Sequence, residues 1–115
     1  MVKVEKKEIL TRTIEITWMV ILEHGHSNGY VGVPEGHPWY DKDYDDIECI
    51  VHGGLTYGEQ GKNTKNFKDF PDHYWVGFDT CHSGDTLHNW TLKAVEKEVE
   101  YLKEQAIDAE AKEEK

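Results

Sequence analysis

The sequence predicts an α+β domain, a small and mostly antiparallel β-sheet covered by one C-terminal amphipathic helix. Three observations predict it. Short runs rich in β-branched and aromatic residues recur between Ile9 and Phe78, separated by Gly, Pro and Asp. Clear helical periodicity follows them, from Leu92 to Ala106. The chain has 115 residues, 37% of them hydrophobic, and two cysteines. That is enough for one core without a disulfide scaffold.

Taken in order, Ile9 to Thr17 alternates loosely, with Leu10, Ile14 and Ile16 among Thr, Arg and Glu. Trp18-Met19-Val20-Ile21-Leu22 is a continuous apolar run, which suits a strand buried on both faces. A turn is expected at Gly25 to Gly29, then a strand at Tyr30–Val33 that Pro34 stops. Glu35 to Asp46 reads as an acidic loop carrying Pro38, Trp39, Tyr40 and Tyr44. Ile47–Val51 reads as the next strand. It ends at His52-Gly53-Gly54, and Leu55-Thr56-Tyr57 continues or returns it. Gly58 to Asp72 is polar and lysine-bearing, and reads as a mobile connection. Tyr74–Phe78 is the last strand, and Trp18 and Trp75 are core residues. Leu92, Val95, Val99, Leu102 and Ala106 form a single apolar stripe among Glu and Lys, with Asn89 or Thr91 as N-cap. The expected organisation is one domain over 1–107 and a charged, frayed tail over 108–115.

The net charge of −10 argues against a general affinity for nucleic-acid backbones or anionic membranes. A small anionic ligand is compatible with it only where the site is locally positive. No apolar run approaches the roughly 20 residues of a membrane span. The segment Met1 to Lys7 has no apolar h-region, and Cys49 and Cys81 sit in no CxxC pair. A reducing cytosol is therefore expected.

Histidine stands out, at positions 24, 26, 37, 52, 73, 82 and 88. Several lie beside glycine, where imidazoles can meet a ligand and the backbone can approach it. Asp79-x-x-His82-x-x-Asp85 places three metal-ligating or acid–base groups just after a strand. The plainer reading is that both aspartates cap turns and His82 is a bonded loop residue. His52-Gly53-Gly54-Leu55-Thr56 can form an anion-binding nest, or a bulge or tight turn that needs glycine. In Gly36-His37-Pro38-Trp39-Tyr40, the Trp can stack on a ring, or the aromatics can pin a long loop. His73 and His88 read as surface residues, and Cys81 as a small hydrophobe rather than a nucleophile. Lys62, Lys65 and Lys68 either steer an anion or form a solvated loop.

Together, Gly29-Tyr30-Val31-Gly32-Val33-Pro34-Glu35-Gly36-His37-Pro38, Tyr44-Asp45-Asp46-Ile47, His52-Gly53-Gly54-Leu55-Thr56-Tyr57 and Trp75-Val76-Gly77-Phe78-Asp79-Thr80-Cys81-His82-Ser83-Gly84-Asp85 resemble a family of small bacteriophage- and prophage-encoded proteins. The resemblance spans roughly residues 24 to 105. It departs at His26-Ser27-Asn28, where the family has a basic residue and a cysteine. It implies an accessory protein of the bacterial cytosol, and no particular reaction.

Three functions compete. The first binds, and if enzymatic hydrolyses, a small anionic, nucleotide-like ligand, counteracting host defence. His52 or His82 would be the acid–base group and Asp79 would orient the imidazole. Gly53, Gly54, Thr56, His37 and Trp39 would hold the ligand, and Asp79, His82 and Asp85 a divalent metal. The second is an acidic inhibitor or DNA mimic that engages a host protein through Glu35 to Glu48. The third is a virion component whose helix stripe forms a homo-oligomer interface.

Overall fold

The computed structural model describes residues 3–9, 15–23, 26–80 and 91–113. Five strands build one antiparallel sheet: β1 (Lys3–Ile9), β2 (Glu15–Glu23), β3 (His26–Val33), β4 (Tyr57–Gln60) and β5 (Tyr74–Phe78), in the order β1-β2-β3-β5-β4. One helix follows, α1 (Leu92–Glu113), and packs across β2 and β3. The fold is the α+β class that the sequence predicts.

Strand alternation gives the sheet two apolar faces. Ile16, Trp18 and Val20, Val31 and Val33, and Tyr74, Val76 and Phe78 face the helix. Met19, Ile21 and Trp75 face the other way, where Phe67 joins them. The run Trp18 to Ile21 is therefore buried on both faces, as its composition predicts. Trp18 Nε1 is buried with no hydrogen-bond partner among the described residues.

The contact between β3 and β5 sets the register. The cross-strand partners are Gly29 with Phe78, Tyr30 with Gly77, and Gly32 with Trp75. At each pair an aromatic ring lies over a glycine. A Cβ on Gly29 would come within 2.7 Å of the Phe78 ring, one on Gly32 within 2.7 Å of Trp75, and one on Gly77 within 2.4 Å of Tyr30. Real Cβ atoms do not approach that closely, so ring size and missing side chain are matched. Gly29 has a second duty, because its Cβ would also lie 2.3 Å from Val99 Cγ2 of α1. This is why β3 begins at His26: the expected turn is strand, and its glycine admits the helix.

Two other segments differ from expectation. Ile47–Val51 is not a strand. Side chains of α1 hold Ile50 and the adjoining His52: Gln105 takes both the N–H and the C=O of Ile50, each at 2.7 Å, and Glu98 accepts from the His52 N–H at 2.7 Å. Ile47 and Val51 reach the helix-side core while Ile50 points outward at 72% exposure. The lysine-bearing connection is structured too. It contains β4 and two 3₁₀ turns, Gly61–Asn63 and Lys65–Phe67. Phe67 is buried and stacks on Trp75 at 4.2 Å and 9°. His73, expected at the surface, is buried.

Helix α1 begins as predicted. Thr91 Oγ1 accepts from the Ala94 N–H at 3.2 Å and caps it. Val95, Val99, Leu102 and Ala106 are fully buried against the sheet, and Leu92 stays exposed. Burying each Val or Leu contributes roughly 1.5–3 kcal/mol, so packing rather than propensity holds the helix. The stripe is spent inside the protomer, which removes the argument for an oligomer interface there. The helix also runs past Ala106 to Glu113, because Ile107 and Ala109 pack on the core and Glu110 is buried.

Gly77→Ala tests the register lock. The methyl must displace the Tyr30 ring and the Gly29 carbonyl oxygen, 2.7 Å away. Overpacking of this kind costs about 1–3 kcal/mol, so the variant melts several degrees lower. A Gly77→Ala protein that melts with the wild type refutes the lock.

Candidate functional site

The sheet separates the predicted site residues into two groups. Val33 pairs with Tyr74 at one end, and Gly29 pairs with Phe78 at the other. Four residues of strand separate these ends, roughly 13 Å. His37 and Trp39 follow Val33 at the first end. His52-Gly53-Gly54, Thr56 and Asp79 gather at the second.

At the first end, loop 34–46 is fastened from within. His37 is 3% exposed. Its Nε2 lies 2.7 Å from the Ala106 carbonyl oxygen, and its Nδ1 accepts from the Trp39 N–H at 3.0 Å. Only the neutral ring protonated on Nε2 satisfies both bonds. Burial pushes its pKa below the ordinary 6.5, against the opposing pull of the Ala106 carbonyl. Both nitrogens are occupied, so His37 clamps loop to helix rather than binding a ligand as expected. Trp39 is buried in the helix-side core, with its ring edge-on to His37 at 5.4 Å. It is a loop anchor rather than a stacking platform.

The charges of the same loop point outward. Asp41, Asp43, Asp45, Asp46 and Glu48 are all exposed. Asp41 holds a left-handed φ of 58°, which Asp tolerates better than most residues, and its carboxylate accepts from Gln60 Nε2 at 3.2 Å. Asp43 Oδ1 accepts from the Asp45 N–H at 3.0 Å and caps the 3₁₀ turn Tyr44–Asp46. Tyr74 OH donates to the Lys42 carbonyl at 2.7 Å and ties the loop to β5. The field of these groups registers on Tyr74. Burial first, then Asp41, Asp43 and Glu59, hold its phenol above the ordinary value. A cleft of about 350 Å³ opens between the loop and α1, lined by Trp39, Lys42, Asp46, Glu48, Gln105 and Asp108 among others.

At the second end, Thr56 N–H donates to the Gly77 carbonyl at 2.8 Å and places the His52–Thr56 segment beside the end of β5. Thr80 Oγ1 donates to the Ser27 carbonyl at 2.9 Å and fixes the chain just after Asp79. Val51 to Gly54 is a tight turn, closed by Gly54 N–H on the Val51 carbonyl at 2.9 Å. Gly53 and Gly54 have φ of 68° and 80°, and a Cβ on Gly54 would meet nothing within 4 Å. Gly54 is thus required by backbone conformation and not by space. The anion nest is not built as expected. The Gly54 amide closes the turn, and the Glu98 carboxylate occupies the His52 amide. Glu98 and Gln105 are structural residues that sequence reading missed, since each looks like one more polar residue on a solvated helix face.

His82 and Asp85 lie outside the described residues, as do Cys81 and His88. Among the described residues, no three His, Cys, Asp or Glu side chains are grouped to hold a metal ion. None of their helices is long and apolar enough to cross a membrane. Compared with known proteins, the chain matches no family model, no curated protein and no solved structure.

The His37 clamp predicts a pH dependence. The folded pKa lies below the unfolded 6.5, so the unfolded chain binds a proton that the fold refuses. The contribution is intact above about pH 6.5 and is lost as pH falls below it. His37→Gln should lose about 2 kcal/mol at pH 8 and show a shallower fall in melting temperature from pH 7 to 5. Equal falls in both proteins would refute the clamp.

Proposed function

We propose that this is a binding protein whose acidic face, formed by loop 41–48 with the C-terminal half of α1, engages a cationic surface on a partner protein. The observation that carries this reading is a division within one loop. Its histidine, tryptophan and isoleucine (His37, Trp39 and Ile47) are buried, while its five carboxylates at 41, 43, 45, 46 and 48 are exposed. Five like charges on a fastened loop form a preorganised field, which steers association and lowers the entropic cost of docking. A basic side chain of the partner suits the cleft, where Asp46, Glu48 and Asp108 outnumber the single lining cation, Lys42. Partner surfaces built to hold phosphates have the complementary charge. The phage-type motifs suggest a setting, an accessory protein acting on a host protein in the bacterial cytosol.

A second reading keeps ligand handling at the other end of the sheet. It is favoured by the arrival of His52, Gly53, Gly54, Thr56 and Asp79 at one sheet end. There His52 and Asp79 are the acid–base candidates, with His82 and Asp85 on the chain that continues from Asp79. The Glu98 carboxylate beside the turn disfavours an anion at that point and suits a cation or a metal-bridged ligand.

Capture from bacterial lysate with three baits separates the readings: wild type, a loop reversal (Asp43→Lys, Asp45→Lys, Glu48→Lys) and a control reversal of equal charge outside the proposed face (Asp72→Lys, Glu96→Lys, Glu100→Lys). The acidic-face reading expects a protein held by the wild type and control reversal and lost by the loop reversal. Its association rate should fall at least roughly tenfold in the loop reversal. Identical captures by all three baits would sink the idea.

A further inference from the structure

The structure carries a second charged surface of opposite sign. From Gly61 to Lys68 the chain has three lysines and no acid, within a protein of net charge −10. Lys62, Lys65 and Lys68 line one shallow cleft of about 330 Å³ with Asn63 and Thr64, and no carboxylate lines it. Lys65 opens the second 3₁₀ turn and Lys68 caps it, three residues on and so on the same side, while Lys62 comes from the first turn across the extended Thr64.

The platform under the lysines is rigid. Phe67, between Lys65 and Lys68, is 1% exposed and stacks on Trp75. Gly61 N–H donates to the His73 carbonyl at 2.8 Å and Lys62 N–H to the Pro71 carbonyl at 3.1 Å. Thr64 Oγ1 accepts from the Asn66 N–H at 3.4 Å. Glu59 is bound to Asn63 Nδ2 and the Gln60 N–H, both at 2.9 Å, and Asp69, next to Lys68 in the chain, does not line the cleft. Three lysines lining one cleft give an anion three ammonium partners within reach.

We infer that the Lys62/Lys65/Lys68 cleft binds a small, multiply charged, phosphate-bearing anion. Three point charges around a shallow cleft recognise charge density rather than shape, which favours adjoining phosphates over one carboxylate. The site is anchored by Phe67 on the sheet face opposite α1, and none of the acidic-loop residues lines it. It is also distinct from the His52 turn, where a nest was expected.

Sodium tripolyphosphate is the probe, titrated calorimetrically at low ionic strength, with acetate and a ten-residue oligothymidylate alongside. Wild type should bind tripolyphosphate and not acetate, and binding should weaken with added salt. Each single Lys→Gln change at 62, 65 or 68 should weaken it roughly three- to fivefold, and the triple change roughly thirtyfold or more. All three lysines are exposed, so the triple variant should keep the wild-type melt. If it does not, the single variants and amide shifts in the wild type decide. Shifts centred on residues 61–68 support the site. Shifts centred on His52 to Thr56, equal affinity in the lysine variants, or no binding by wild type would overturn it. So would oligothymidylate binding more tightly than tripolyphosphate and being lost with the lysines. The loop reversal at 43, 45 and 48 should keep the anion affinity, whatever becomes of the acidic-face reading.

Discussion

Three glycines lie under three aromatic rings where β3 meets β5, and the placement of the rest follows from that match. Along β3 the order is Gly29, Tyr30, Val31, Gly32. The facing residues of β5 are Phe78, Gly77, Val76, Trp75. Large meets small at each glycine pair, and Val31 meets Val76. A slip of one residue sets Tyr30 against Val76 and Gly32 against Tyr74, or Tyr30 against Phe78 and Gly32 against Val76, and moves every side chain to the other face. Because the register is set here, the sheet end from which each loop leaves is set too. Gly29 extends the constraint out of the sheet plane, since its missing side chain lets Val99 and the helix come down.

That geometry explains how one loop holds both the most buried histidine contact and the densest exposed charge. The chain leaves β3 at Pro34 and turns under the end of α1. There His37 reaches the Ala106 carbonyl, and Trp39 enters the core. Asp41, Asp43, Asp45 and Asp46 are left pointing outward, while Tyr40 and Tyr44 among them stay half-buried. On the opposite face, Phe67 does for the lysine loop what Trp39 does for the acidic one. In both, a single buried ring fastens a charged surface. The two surfaces have opposite sign, and β4 stands between them, with Gln60 bonded to Asp41 and Glu59 to Asn63.

Patterns that are local in sequence were legible there. Tyr74–Phe78 has the predicted bounds, and the stripe Val95, Val99, Leu102 and Ala106 is the buried face of the helix. Ile47–Val51 was not legible as coil. Its apolar residues suit a strand, and the side chains that hold Ile50 and the adjoining His52 lie 55 and 46 positions away. His37 looked like a ligand because an anchoring imidazole and a binding imidazole share the same neighbours in sequence. Only the Ala106 carbonyl, 69 positions on, tells them apart. Of the candidate site, the place of Asp79 just past Tyr74–Phe78 was readable from a strand end, whereas His52 was expected to end a strand that does not form, and its segment reaches that end through Thr56. Its division from His37 and Trp39 needed the strand register.

Gln105 has a consequence beyond holding a loop in place. Its primary amide is a peptide group carried sideways by a helix. It offers Ile50 the same donor and acceptor that a neighbouring strand would offer. Had the segment 47–51 paired through its backbone instead, the sheet would have gained another open margin beside a large exposed isoleucine. Open, apolar margins are where like chains stack on one another. Here the stickiest exposed side chain belongs to a residue whose own N–H and C=O are already taken. One glutamine thus lets the protein display an apolar group while leaving no template for a growing fibril at that residue.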